Sequence, residues 1–302
     1  MPRHISQRLL VNIVIALLGG SLSTNAQTPA TCSFHLFQIP ASNGTPIAEG
    51  INRYGTVVGF VSLATSHSEG FTRFSNGQTN FFMASNSTDT AIMRRNSSGV
   101  NVGSFTPKGS TISHGFVAHG TSFQSVIFPG NLPTFLNGVN SFGTIVGTYL
   151  GGDGHFDAIK LKNGKFTIIR IANGQDAFAN AVNDGGVIVG SVFLKNQSDS
   201  HGWVLKNGVI HLVDFPHEVG FGGTSLHDIS NTGEIVGSVW TGPDTQAAFL
   251  LANGIFKTIN VPNARLTEAN GINASNVITG HAVVVDPKTG NETDTTYTAT
   301  CH

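Results

Sequence analysis

The sequence predicts an all-β protein: a six-bladed β-propeller with four strands per blade, its ring closed by the N-terminal strand joining the last blade. Three observations predict it. A short phrase built around Ile-Val-Gly returns six times. Asn-Gly dipeptides follow between alternating apolar runs. The two ends of the chain carry complementary pieces of one blade.

The repeat is set by Gly59, Gly103, Gly147, Gly190, Gly237 and Gly280, at spacings of 44, 44, 43, 47 and 43 residues. Each of these glycines closes a polar turn flanked by apolar pieces, as in GINRYGTVVGF from Gly50 and GVNSFGTIVGTY from Gly138. A second pair of apolar runs follows, split by Asn76-Gly77, Asn163-Gly164, Asn207-Gly208 and Asn253-Gly254. Asn-Gly is a strong hairpin signal, because a type I′ turn needs positive φ at both central residues. Each unit thus holds four short strands, with no sustained helical period after the N-terminal segment. One twisted four-stranded sheet leaves both faces uncovered, and radial stacking of such sheets covers each face with a neighbour.

The ends argue for a ring over an open array. The sixth unit supplies two strands, Gly271 to Val285, and then TTYTATC, Thr295 to Cys301, as a third. A strand of the missing type stands near the beginning: CSFHLFQIP, Cys32 to Pro40, resembles KTINVP, Lys257 to Pro262, and precedes the first Gly-Ile-Asn as its counterparts precede theirs. Antiparallel pairing of Cys32 to Pro40 with the last strand places Cys32 and Cys301 within reach of a disulfide. Closing so long a loop stabilises by several kcal/mol in the chain-entropy treatment.

Residues 1–26 read as a secretory signal peptide. Arg3, His4 and Arg8 precede the apolar run Leu9 to Leu18, and Thr24-Asn25-Ala26 forms a small-residue exit. That run is too short for a spanning helix, which needs roughly 20 residues. Residues 27–302 are expected to form the single propeller domain, secreted or periplasmic, where the two cysteines oxidise. Charged residues make up 11% of the chain and formal net charge is −1. No basic face is available for nucleic acid, and no membrane span remains after cleavage.

The units resemble the extracellular HAF-type repeat of exported bacterial proteins. The likeness rests on His114-Gly115-Phe116, His201-Gly202-Trp203, the Gly-Ile-Asn phrases at Gly50 and Gly271, and the Ile-Val-Gly phrases at Ile145, Ile188 and Ile235. It covers residues 32 to 301 and implies no established reaction, so no catalytic residue follows from it. Arg94-Arg95 in place of Gly-Ile, and Val-Asn-Val-Gly in the second unit, depart from the pattern.

Chemistry is sought where the repeat is broken. Immediately before each Gly-Ile-Asn position the chain reads Glu49, Met93, Asn137, Asn180, His227 and Asn270. These residues can ring the channel mouth, or satisfy backbone groups in tight turns. Glu49, Arg94, Arg95 and His227 are the catalytic candidates, and Asn137, Asn180, Asp228 and Asn270 the binding candidates. Buried arginines need a carboxylate or a ligand anion, and Glu49 is the expected partner. His114, His155 and His201 share one repeat position on different blades, which speaks against a shared metal; His211, His217 and His227 with Glu218 form a better, though weak, metal-ligating set. Neither a metal nor a cofactor is expected, and Asp153, Asp199, Asp244 and Asp286 fit turn formation. The sequence therefore points to a monomeric binding scaffold for an extracellular ligand or protein, the alternative being a lyase or hydrolase with its site at the axial mouth.

Overall fold

The computed structural model describes residues 29–40, 44–63, 67–216, 223–242 and 244–301. The signal-peptide reading over 1–26, and the proposed metal ligands His217 and Glu218, lie outside them. Among the described residues there are twenty-four strands and no helix long and apolar enough to cross a membrane.

After β1 (Cys32–Phe37) the chain runs in antiparallel meanders of four. They are β2–β5 (Gly44–Ile51, Val57–Leu63, Ser68–Arg73, Thr79–Phe82) and β6–β9 (Ser87–Arg95, Asn101–Pro107, His114–His119, Ser122–Val126). Next come β10–β13 (Thr134–Val139, Ile145–Leu150, Phe156–Lys162, Lys165–Ile169) and β14–β17 (Gly174–Val182, Ile188–Leu194, Ser200–Lys206, Val209–Leu212). Then follow β18–β21 (Thr224–Ile229, Ile235–Gly242, Thr245–Ala252, Ile255–Ile259) and β22–β24 (Ala264–Ile272, Val277–Val285, Glu292–Cys301). The architecture is an all-β propeller with four strands per blade.

The prediction of six separate four-stranded sheets is corrected. Four sheets stand alone, β2–β5, β6–β9, β10–β13 and β14–β17, and the remaining eight strands form one sheet. The reason is local: β20 and β22 run parallel and close enough at one point for Gln246 to pair with Leu266, which joins two sets of four.

The predicted closure is present. β1 pairs antiparallel with β24, with Cys32 opposite Cys301. The two form a disulfide, Cα atoms 4.1 Å apart, across a sequence separation of 269 residues. Three of the four Asn-Gly hairpins have positive φ at both residues: Asn163 and Gly164, Asn207 and Gly208, Asn253 and Gly254. At the fourth, only Gly77 is positive, because the loop between Arg73 and Thr79 is longer.

The core is layered between sheets. Val58 of the first meander packs with Ile92, Phe105 and Phe116 of the second. Phe37 of β1 packs with Val57, Val61 and Phe71 of the first meander. Val236, Leu250 and Ile259 pack with Ile278 and Tyr297 inside the eight-stranded sheet. Six such clusters separate successive sets of four strands. Burying a Leu, Ile, Val or Phe side chain is worth about 1.5–3 kcal/mol, so these layers fix the stacking of sheet on sheet.

Candidate functional site

Each set of four strands begins with its inner strand, and each inner strand carries a β-bulge at one repeat position. The register skips between Ala48 and Gly50, Ile92 and Arg94, Leu136 and Gly138, Ala179 and Ala181, Leu226 and Asp228, and Ala269 and Gly271. The skipped residues are Glu49, Met93, Asn137, Asn180, His227 and Asn270. A bulge leaves its extra residue out of the ladder and re-aims its side chain. The column singled out by the repeat is therefore the set of bulged residues.

The bulge also explains the Ile-Val-Gly glycine. A Cβ added to Gly147 would overlap the Phe135 carbonyl oxygen, and the same collision recurs at Gly59, Gly103, Gly190, Gly237 and Gly280 with the equivalent carbonyl. One residue past the bulge the inner strands come closest. A Cβ on Gly138 would sit 2.8 Å from the Ala181 Cα, and one on Gly271 would sit 2.9 Å from the Gly50 Cα.

Two belts of side chains join the inner strands. In the first, bulged residues donate to the carbonyl of the next sheet: Asn137 Nδ2 to Ala179 O at 3.1 Å, Asn180 Nδ2 to Leu226 O at 2.8 Å, and Asn270 Nδ2 to Ala48 O at 3.1 Å. His227 Nδ1 lies 3.2 Å from Ala269 O and 2.9 Å from Asn270 Oδ1, while its Nε2 lies 3.3 Å from Ser238 Oγ. Gln246 donates in turn to Ser238 Oγ at 2.6 Å. This chain fits a neutral imidazole with its proton on Nδ1, and burial depresses the His227 pKa. In the second belt, Asn140 accepts from Phe142 N and Thr144 N of its own turn and donates to Asn183 O at 3.0 Å. Asn52, Asn96, Asn183 and Asn273 repeat that donation to the next sheet. Ser230 holds the sixth position; its hydroxyl caps its own turn.

Arg94 crosses the axis between the belts. Its Nη1 donates to Glu49 O at 2.6 Å and Asn270 O at 3.1 Å, and Nη2 to His227 O at 3.2 Å. Its counter-ion is Asp228, with Nη1 to Oδ2 at 3.2 Å. Asp228 also accepts from Ile229 N and from Ile272 N, both at 2.9 Å. Burial raises the Asp228 carboxyl above its ordinary value, opposed by Arg94 and these two N–H groups. The expected carboxylate partner, the Glu49 side chain, is corrected: Arg94 uses the backbone carbonyl of Glu49 and the carboxylate of Asp228. The physical reason is reach, because the guanidinium extends across the ring to sheets that the repeat order does not make adjacent.

The Arg94–Asp228 pair stands as a plug between two cavities, with Arg94 lining both. On the bulge side lies a cavity of about 410 Å³ lined by Glu49, Arg94, Asn137, Asn180, His227, Asn270 and four more residues besides Glu268, among them Met93 and Phe178. On the turn side lies one of about 260 Å³. Arg95 lines the second, where Nη1 donates to Asn101 Oδ1 at 3.0 Å. Three of the four catalytic candidates thus meet in one cavity, and the fourth is on the far side of the plug. Burial, and then the Glu268 charge, push the Glu49 carboxyl up to about 7, against a smaller opposite pull from Arg94.

Among the described residues no group of three or more His, Cys, Asp or Glu could hold a metal ion. His211 is exposed on β17, at the opposite edge of its sheet from the inner strand, far from His227 in the topology. His114, His155 and His201 each have separate partners: Ser125, Asp176 and Asp214. Asp286 caps its turn through Lys288 N and Thr289 N, and Asp153 accepts from His155 N.

These features define a propeller whose axial channel is blocked at its waist by an ion pair. No family model and no curated protein sequence matches the chain. Solved structures similar to it are β-propeller proteins. A catalytically inactive virginiamycin B lyase from Staphylococcus aureus, solved with quinupristin, has a TM-score of 0.51 at 12% identity, covering 89% of this chain and 99% of that one. A TolB-type protein from Agrobacterium tumefaciens has a TM-score of 0.54 at 14% identity, covering 76% and 88%. AofleA from Arthrobotrys oligospora has a TM-score of 0.52 at 8% identity, covering 87% and 86%. Likeness at this level of identity shows a shared fold and leaves function to the site.

Proposed function

We propose that this chain is an exported propeller of HAF-type repeats, with six sectors, that binds an extracellular ligand at its bulge-side mouth without transforming it. Counting the eight-stranded sheet as two blades gives the six sectors. The single Gln246–Leu266 pair between its halves, the six hydrophobic layers and the six bulges support that count. The disulfide between Cys32 and Cys301 suits an oxidising compartment.

The observation that carries the reading is the use to which the polar side chains are put. Arg94 is spent on Asp228 and three carbonyls, and His227 is held in a fixed chain from Gln246 to Asn270. These groups hold the walls of a rigid chamber. The enzyme reading keeps one supporting observation, a Glu49 carboxyl poised near neutrality in the same cavity as His227, as a general acid would be. The test is recovery of ligand. The mature protein is incubated with small-molecule pools, and bound compounds are released and weighed by mass spectrometry. The proposal expects compounds returned unchanged. Product that appears with wild type and disappears with Glu49→Gln would establish the enzyme instead.

A further inference from the structure

The bulge-side cavity has an unusual balance of donors and acceptors. The amide hydrogens of Asn137, Asn180 and Asn270 point along the wall into neighbouring carbonyls. The His227 Nδ1 hydrogen is likewise taken up by Ala269 O and Asn270 Oδ1. Arg94 faces Asp228 and three backbone oxygens. Each of these amides keeps a second N–H, and the buried Arg94 Nε–H has no partner among the described residues. The charge on the cavity wall weighs toward acceptance: the side-chain oxygens of Asn137 and Asn180, and the carboxylates of Glu49 and Glu268 on neighbouring inner strands, all line it. The Glu49 carboxylate has no hydrogen-bond partner among the described residues. Among the described residues the Glu268 carboxylate likewise has no hydrogen bond, and its one ion-pair contact is His281 Nδ1, at 4.0 Å. Phe178 and Met93 add an aromatic and a thioether wall to the same space, surfaces that suit the body of a cation.

We propose that this cavity binds a small organic cation carrying an ammonium group, with Glu49 and Glu268 as its counter-charges and Phe178 as its apolar wall. This rests on the reading of the bulge-side mouth as a binding chamber and names the class of ligand it takes. A volume of about 410 Å³ admits a compact amine, at the lower end of ligand-pocket sizes.

The chemistry links binding to protons. Glu49 is faced by Glu268 from β22, Arg94 from β6 and His227 from β18, and its carboxyl is held up to about 7. An arriving ammonium favours the ionised carboxylate and expels the proton. Affinity therefore rises with pH up to slightly alkaline values and falls under acid.

The test uses the mature protein, with putrescine as the cationic probe and 1,4-butanediol as its neutral isostere, followed by titration calorimetry. Wild type is expected to bind putrescine and not the diol. Binding weakens at least about tenfold in Glu49→Gln and in Glu268→Gln, and by a similar factor between pH 8 and pH 5.5. Proton release is read from the dependence of the heat on the buffer. Circular dichroism of each variant confirms that the fold is intact. Equal affinity for the diol, or unchanged putrescine binding in Glu49→Gln, overturns the cation assignment while leaving the chamber a binding site. Binding of neither probe at millimolar concentration overturns the cation assignment as well. The chamber reading itself fails separately, if the ligand-recovery experiment yields product.

Discussion

Replacing Arg94 with methionine removes the plug while keeping much of its volume. The structure sets the cost. Asp228 keeps its two backbone N–H donors but loses the guanidinium 3.2 Å away. The carbonyls of Glu49, His227 and Asn270 lose their shared donor at the waist. Stranding a buried charge by removing its partner costs about 3–5 kcal/mol, and each lost bond to a buried carbonyl adds to it. The expected loss for Arg94→Met is therefore about 4 kcal/mol at pH 7. Asp228→Asn alone is expected to cost less, since Arg94 retains three oxygen acceptors. The double variant should be more stable than the sum of the two single losses by about 1–3 kcal/mol, because the pair acts as one unit. Urea unfolding followed by tryptophan fluorescence measures all three; Trp203 is fully buried and reports on the body of a sheet. A loss below about 1 kcal/mol for Arg94→Met, or strict additivity in the double variant, would refute the plug.

Three further perturbations follow from the geometry. Glu49→Gln should stabilise the protein. A carboxyl raised from 4.5 to about 7 weakens the fold as it ionises. The destabilisation is small below about pH 4.5, grows as pH rises and levels off above about 7, reaching about 3 kcal/mol by pH 8; denaturation at pH 5 and pH 8 should show a gain for the variant of about 1 kcal/mol at the lower pH and about 3 kcal/mol at the higher. Asn140→Ala removes two accepted bonds within its turn and the donation to Asn183 O, and should cost about 2 kcal/mol in urea unfolding. Gly147→Ala drives a methyl into the Phe135 carbonyl, and a loss of about 3 kcal/mol is expected in the same assay, whereas Gly152→Ala, with open space around it, should be close to neutral.

Much of this was legible in the chain. The glycine spacing gave four strands per unit, because a bulged inner strand demands a residue without Cβ at the same place each time. The pairing of Cys32 with Cys301 followed from a last unit that lacks a strand and an N-terminus that supplies one. Arg94 stood out as a large cation at a position that is glycine in three of the six units. Asp228 was named as a binding residue, but its pairing with Arg94 was not legible, because it occupies the same repeat position on a distant sheet and a linear repeat carries no record of contacts across the axis. Glu268 was missed for a related reason. Its equivalents are Ile47, Ala91, Phe135, Phe178 and Ser225, so the position shows no pattern until the bulge is seen to turn it toward the cavity. The Asn belt had a visible signal in the last residue of Gly-Ile-Asn, which the turn geometry converts into links between sheets. The merging of the last two sets of strands depends on one backbone approach, at Gln246 and Leu266, that no residue type specifies.

The plug, the belts and the chamber all require that the inner strands form a closed ring held by the first strand. Peptide mapping of the protein purified from an oxidising compartment, alkylated before any reduction, tests that closure most directly. The account predicts one cross-linked species containing Cys32 and Cys301, with neither residue alkylated. Both cysteines recovered as alkylated free thiols, or either one joined to a second molecule, would contradict it.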